Sequence, residues 1–125
     1  MARETALKIK EASYLHAEGF AAGEFRHGSI AMIDASSAVI GIVDRDALRT
    51  VAAPMREIRS TEALRYLIGT ETIDDVPCLG PVVDDPYNTL AWLVTAQLLA
   101  LYAARSRQVD SDKPRAIAKA LIERR

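Results

Sequence analysis

The chain has little of what marks several large functional classes. It has one cysteine, Cys78, so no internal disulfide can form. That usage fits a reducing compartment such as the cytoplasm, and the apolar neighbours of Cys78 favour a buried, inert thiol. The formal net charge is −1 with basic residues dispersed along the chain, which predicts no electrostatic grip on nucleic acid. The most apolar segment, Leu90 to Ala104, is too short to span a bilayer and carries Thr95 and Gln97; it reads as a buried helix rather than a membrane anchor. The N-terminus carries no secretory pattern. There is no GxGxxG and no Walker loop, so a nucleotide cradle is not expected. Two histidines and one distant cysteine do not make a zinc set, so no metal and no cofactor is expected. A GxSxG nucleophile elbow is also missing.

What is present is enough for a folded core. Of 125 residues, 50% are hydrophobic and 26% charged, the composition of one ordinary globular domain. Residues 3 to 15 read as a helix. At 100° per residue Thr5, Ala6, Ile9, Ala12 and Ser13 share a small-residue face suited to packing on a sheet, and Glu4, Lys8, Glu11 and Leu15 share another. Residues 17 to 28 are punctuated by glycine and predict irregular or extended backbone, followed by a short helix at 28 to 33. Ala38 to Val43 (AVIGIV) and Leu64 to Ile68 predict strands buried on both faces. Between them, residues 45 to 62 look helical, with Pro54 kinking the helix or starting a second one. Residues 77 to 83 (PCLGPVV) predict a weaker edge strand, because Pro77 and Pro81 cannot donate ladder bonds. Asp84 or Asp85 is the expected cap of a helix with Pro86 in its first turn, running to about Arg105. A polar linker at 106 to 112 leads to a last helix from Pro114 to about Glu123. Alternating strands and helices predict an α/β sandwich on a mainly parallel sheet, in one domain over residues 1 to 125.

Chemistry concentrates in residues 8 to 29, KIKEASYLHAEGFAAGEFRHGS, which hold both histidines, His16 and His27, and three of the six glycines. From spacing alone, the Glu4-Lys8-Glu11 ladder is first of all a solvated helix surface, and a histidine in a Gly-rich loop is more often structural than catalytic. Together, a helical carboxylate and a loop imidazole can supply the base and acid that move protons on a carbonyl compound. Ser36-Ser37 could bind phosphate, but a turn before a strand is the plainer reading.

The run ALKIKEASYLHAEGFAAGEFRHGSIAMID and the tail VDSDKPRAIAK resemble the second sugar-isomerase (SIS) domain of the glutamine:fructose-6-phosphate aminotransferase family. That family carries an LK-x-KE helix, an AE-x-x-x-AGE-x-x-HGP segment and a D-x-D-x-PR-x-LAK ending. The resemblance implies a three-layer SIS-type α/β sandwich, apparently beginning after its first strand, and a phosphorylated hexose or amino sugar as ligand. Glu11 then matches the proton-shuttling glutamate, His27 a histidine linked to ring opening that reaches a neighbouring subunit's site, and Lys119 a lysine of the C-terminal segment covering the sugar. Lys8, Glu4 and Ala118 match further substrate-binding positions. Ser29 stands where the family usually has proline, and LIERR replaces its short acidic tail. The resemblance further implies a homo-oligomer or a partner SIS chain that supplies the phosphate loop. The alternative is a non-catalytic phosphosugar-binding or assembly module.

Overall fold

The computed structural model describes residues 1–81 and 87–115. Helix α1 (Ala2–Ser13) leads through a loop and a single helical turn, α2 (Ala22–Phe25), to a 3-10 turn at Ser29–Met32. Strand β1 (Ala38–Val43), helix α3 (Leu48–Glu57) with a 3-10 extension at Ile58–Thr61, and strand β2 (Leu64–Gly69) follow. Helix α4 (Asn88–Ser106) closes the described chain.

β1 and β2 pair in parallel, with Ala38 opposite Leu64 and Val43 opposite Gly69. The β1–α3–β2 crossover is what a parallel pair requires, since two parallel strands cannot be joined by a hairpin. Alternation along β2 splits the interior in two. Leu67 faces a cluster with Val43, Val51, Met55, Ile58, Ile73 and Val76. Ile68, also fully buried, points the other way, where α4 lies against β2. α1 packs in turn on α4. The order of layers is therefore α3, sheet, α4 with α1, as expected of an α/β sandwich.

The predicted edge strand is shorter than its sequence implied. Among the described residues it is one parallel bridge, Leu67 to Cys78. Leu67 N–H donates to Pro77 C=O at 2.8 Å and Leu79 N–H to Leu67 C=O at 2.7 Å, and the prolines on either side leave no donors to extend the ladder. Cys78 corrects the expectation of a buried thiol: it is exposed, because it lies at the margin of the sheet and not between two layers. Pro54 does not break α3, which runs through it. The Asp84, Asp85 and Pro86 cap and the final helix beyond Arg115 lie outside the described residues.

The small-residue face of α1 is buried as its spacing predicted, at Thr5, Ala6 and Ser13, but its partner is α4 rather than the sheet. α4 meets it with Ala96, Ala100 and Ala104, all buried and one helical turn apart. Alanines at this spacing let two helices approach more closely than leucines would. The two buried hydroxyls on α1 are satisfied within their own helix, Ser13 Oγ donating to Ile9 C=O at 2.7 Å and Thr5 Oγ1 to Met1 C=O at 3.2 Å, so polar atoms enter the interface without loss of a hydrogen bond.

The glycine-rich window divides by role. A Cβ on Gly19 would come within 2.5 Å of the Arg3 amide nitrogen and 2.6 Å of the Ala2 carbonyl, whereas one on Gly23 would meet nothing within 4 Å. Gly19 is thus fixed by the passage of the loop across the start of α1. Gly19→Ala is expected to cost about 1–3 kcal/mol as overpacking against rigid backbone. Gly23→Ala, inside α2, is expected to be neutral or slightly stabilising. Urea denaturation of the two variants checks this, and equal losses at both positions would contradict the loop packing.

Candidate functional site

The residues at 4, 8 and 11 follow from helix geometry, since positions three and four apart share a face. Lys8 Nζ lies 2.8 Å from Glu11 Oε2 and 3.7 Å from Glu4 Oε1. The lysine is held above its ordinary pKa chiefly by its hydrogen bond to Glu11; burial opposes this as the next-largest effect, and the charges of Glu11 and then Glu4 add to the upward shift. Both Lys8 and Glu11 remain about one-third exposed (34% and 36%), so the pair is open to a ligand rather than locked in the core.

Lys8 and Glu11 line a cavity of about 300 Å³ together with Ala12 of α1, Gln97, Ala100 and Leu101 of α4, and Ser111 and Pro114 of the following segment. Its wall is largely apolar carbon, and its polar lining residues are the Lys8–Glu11 pair, Gln97 and Ser111. The close α1–α4 contact forms the floor, and the chain beyond α4 folds back to form the rim.

That return is anchored at the end of α1. Tyr14 adopts a left-handed conformation (φ 58°) and terminates the helix, its N–H donating to Lys10 C=O at 3.1 Å. This stops α1 two residues earlier than its pattern implied. Such backbone is unusual for a residue with a Cβ, and here it turns the ring toward the C-terminal segment. The Tyr14 hydroxyl accepts the Arg115 backbone N–H at 2.7 Å, and the Arg115 guanidinium lies 4.7 Å from the ring centroid, within cation–π range. Tyr14, Gln97, Ser111 and Arg115 are the site residues that sequence reasoning missed. The PR pair of the tail motif was visible, but nothing in the sequence placed it against Tyr14, 101 positions away.

The remaining expected residues separate. His27 lies at a different cleft, of about 500 Å³, between α2 and α3, with Arg26, Arg49, Thr50 and Glu57. Arg26 Nε meets Glu57 Oε2 there at 3.0 Å. His27 and Glu11 therefore do not share a cavity within one chain. Glu4 reaches Lys8 on the helix face but does not line the Glu11 cavity. Lys119 and Ala118 lie outside the described residues. Ser36 and Ser37 fold as the turn before β1: their hydroxyls contact Asp34 Oδ1 at 2.7 and 3.0 Å. These bonds hold the Asp34 carboxyl below the usual carboxylate range, and the resulting negative charge disfavours phosphate.

The SIS-domain family model matches residues 1–74, and the chain belongs to the SIS domain family. It is similar, at 39% identity over 121 residues, to the glutamine–fructose-6-phosphate aminotransferase [isomerizing] of Lactiplantibacillus plantarum. It is also 38% identical over 130 residues to the enzyme of that name from Methanosarcina mazei. These alignments cover 94% and 97% of this chain but 20% and 21% of the relatives, so the chain spans about a fifth of their length. Among solved structures, the C-terminal domain of glucosamine-fructose-6-phosphate aminotransferase from Francisella tularensis matches with a TM-score of 0.72 and 26% identity, over 89% of this chain and 33% of that one.

The raised pKa of Lys8 has a signed consequence. A cation whose folded pKa is above its unfolded value stabilises the fold fully below the ordinary lysine value of 10.5 and loses that contribution as pH rises through the folded value. Glu11→Gln is expected to move the Lys8 titration down toward the ordinary value, and Glu4→Gln to move it less. NMR titration of the Lys8 side chain checks this; an unchanged midpoint in Glu11→Gln would show that the pair does not form.

Proposed function

We propose that this chain carries the isomerase half of a phosphosugar site, with Glu11 as the proton-transfer group of an aldose–ketose interconversion. The observation that carries the reading is the Lys8–Glu11 pair at the mouth of a cavity whose rim is the returning C-terminal segment. In such a reaction a carboxylate takes the proton from C1 of the open-chain ketose and returns it to C2, while the carbonyl moves from C2 to C1. One group fixed on a helix reaches both carbons without leaving the site, and acid–base catalysis of this kind contributes about 10² to 10⁴ in rate. The Lys8 ammonium sits where it can also donate to a sugar oxygen. Glu4 tunes Lys8, and Lys119 and Ala118 are assigned to the sugar-covering segment.

His27 is assigned to ring opening. An imidazole can both donate and accept a proton through its two ring nitrogens, and the position of His27 away from Glu11 within one chain suits action in the site of a neighbouring subunit. The ligand is a phosphorylated hexose or amino sugar of the fructose 6-phosphate class, as the names of the relatives suggest. The phosphate contact is assigned to a partner chain, since Ser36 and Ser37 are occupied by Asp34.

A second reading is a binding or assembly module without turnover. The engagement of Ser36 and Ser37, which leaves no hydroxyl pair for phosphate at that turn, favours it. Solvent deuterium incorporation at C1 of fructose 6-phosphate and at C2 of the aldose product decides between the two, measured with wild type and Glu11→Gln, alone and with a SIS-type partner chain. The isomerase reading expects exchange by wild type and a loss of about 10² or more in Glu11→Gln with binding retained. Binding by both proteins without exchange by either would leave the binding module.

A further inference from the structure

Two of the left-handed non-glycine residues end the helices beside the Glu11 cavity: Tyr14 (φ 58°) closes α1 and Gln108 (φ 56°) closes α4. At the end of α4, Val109 N–H donates to Ala104 C=O at 2.9 Å and Gln108 N–H to Arg105 C=O at 3.0 Å, the Schellman pattern that reverses a chain. Asp110 then makes a second turn, accepting the Asp112 N–H on Oδ1 at 3.0 Å and the Lys113 N–H on its carbonyl at 3.3 Å. These local bonds shape residues 107–115 into a strap, but they do not attach it to α1. Among the described residues, the 2.7 Å bond from Arg115 N–H to the Tyr14 hydroxyl is the only hydrogen bond joining the strap to anything beyond α4. Ser111 and Pro114, which rim the cavity, lie within that stretch.

The backbone at Tyr14 is not one that a tyrosine favours. A left-handed conformation disfavours a residue with a Cβ by a factor of about 5 to 30, and glycine or asparagine fills such positions more readily. Hydrogen bonds on both sides hold Tyr14 there. Its own N–H donates to Lys10 C=O at 3.1 Å. Beyond it, Leu15 N–H donates to the Ser13 hydroxyl at 3.4 Å, which in turn donates to Ile9 C=O at 2.7 Å. Ser13 is fully buried, so the turn is set from within the packed face of α1. An unfavourable conformation kept at a residue whose side chain makes a long-range contact points to a role for that side chain. The contact joins the strap to the end of α1, one helical turn beyond Glu11.

We propose that Tyr14 is a positioning residue of this cavity: its hydroxyl and ring tether the strap where Ser111 and Pro114 rim Lys8 and Glu11, and so set access to that pair. Tyr14 itself reacts with nothing. The hydroxyl fixes the strap through the Arg115 N–H, and the ring carries the Arg115 guanidinium at 4.7 Å. A ligand that touches both the strap and the ion pair binds better when the tether is closed, and by linkage it closes the tether in return. One net hydrogen bond corresponds to about two- to tenfold in such an equilibrium. The tether stands whatever the cavity binds; only the identity of the ligand rests on the phosphosugar reading.

The test uses the full chain. Tyr14→Phe keeps the ring against the Arg115 guanidinium and removes only the hydroxyl; Tyr14→Asn suits the left-handed turn and removes both. Amide hydrogen exchange is expected to speed up at Arg115 by about threefold or more in Tyr14→Phe, and further in Tyr14→Asn, with the core amide of Leu67 unchanged. Competitive acetylation is expected to raise labelling of Lys8 relative to Lys10, an exposed lysine of the same helix that does not line the cavity, by about twofold or more in both variants. A tyrosine that merely stabilised the fold would move the Leu67 amide too. Unchanged Arg115 exchange in Tyr14→Phe would overturn the tether, and an unchanged Lys8 to Lys10 ratio would overturn its control of access. Fructose 6-phosphate, titrated in the presence of a SIS-type partner chain, is expected to bind Tyr14→Phe about threefold or more weakly than wild type. Equal affinity despite a loosened strap would overturn the phosphosugar reading of this cavity and leave the tether standing.

Discussion

The close approach of α1 to α4 is the contact on which the candidate site depends. Ala96, Ala100 and Ala104 present a row of methyl groups one turn apart, and Ala6 and Ser13 answer from α1. With leucines at the same positions the helices would stand further apart, and the cavity beside Lys8 and Glu11 would lose the floor that Ala12 and Ala100 provide. The hydroxyls of Thr5 and Ser13 each donate to a carbonyl four residues back, so both are satisfied, whereas the buried Trp92 Nε1 of α4 finds no partner among the described residues.

Around that contact the electrostatics are arranged locally. Lys8 stands between two carboxylates of its own helix, and Arg56 makes a two-point pair with Asp74 at 2.8 and 3.0 Å, tying α3 to the loop after β2. That arginine holds the Asp74 carboxyl below the usual carboxylate range. The two pairs differ in setting. Arg56 and Asp74 lie on the surface away from the cavities, whereas Lys8 and Glu11 border one. Position beside a concave surface, rather than the ion pair itself, distinguishes a candidate site from a surface clasp.

Several features were legible in the residues. The AVIGIV run is a strand in a parallel pair because consecutive β-branched residues suit a layer covered on both sides. The Thr5, Ala6, Ser13 face and the Glu4, Lys8, Glu11 face of α1 both follow from the 3.6-residue period. Other features were misread for identifiable reasons. Cys78 has apolar neighbours in sequence, yet it lies at the sheet margin. Residues 17 to 28 contain the helical turn α2, which four residues of glycine-broken sequence could not announce. α4 is hydrophobic all round, which fits burial on every side, yet one face is open. Periodicity reports how apolar a face is; it does not report what lies against it.

The sequence by itself determined the family, the parallel α/β arrangement and the identity of the charged residues on α1, because periodicity and motif spacing are properties of neighbours along the chain. Only the tertiary structure decided which residues meet. It set α1 on α4 instead of on the sheet, placed His27 in a cleft apart from Glu11, occupied Ser36 and Ser37 with Asp34, and brought Arg115 onto Tyr14. Each of these depends on contacts between segments, or on which of several competing hydrogen-bond partners a side chain takes in the folded chain. Local pattern constrains backbone conformation and solvent preference, but a contact across 101 residues is settled only when the layers pack.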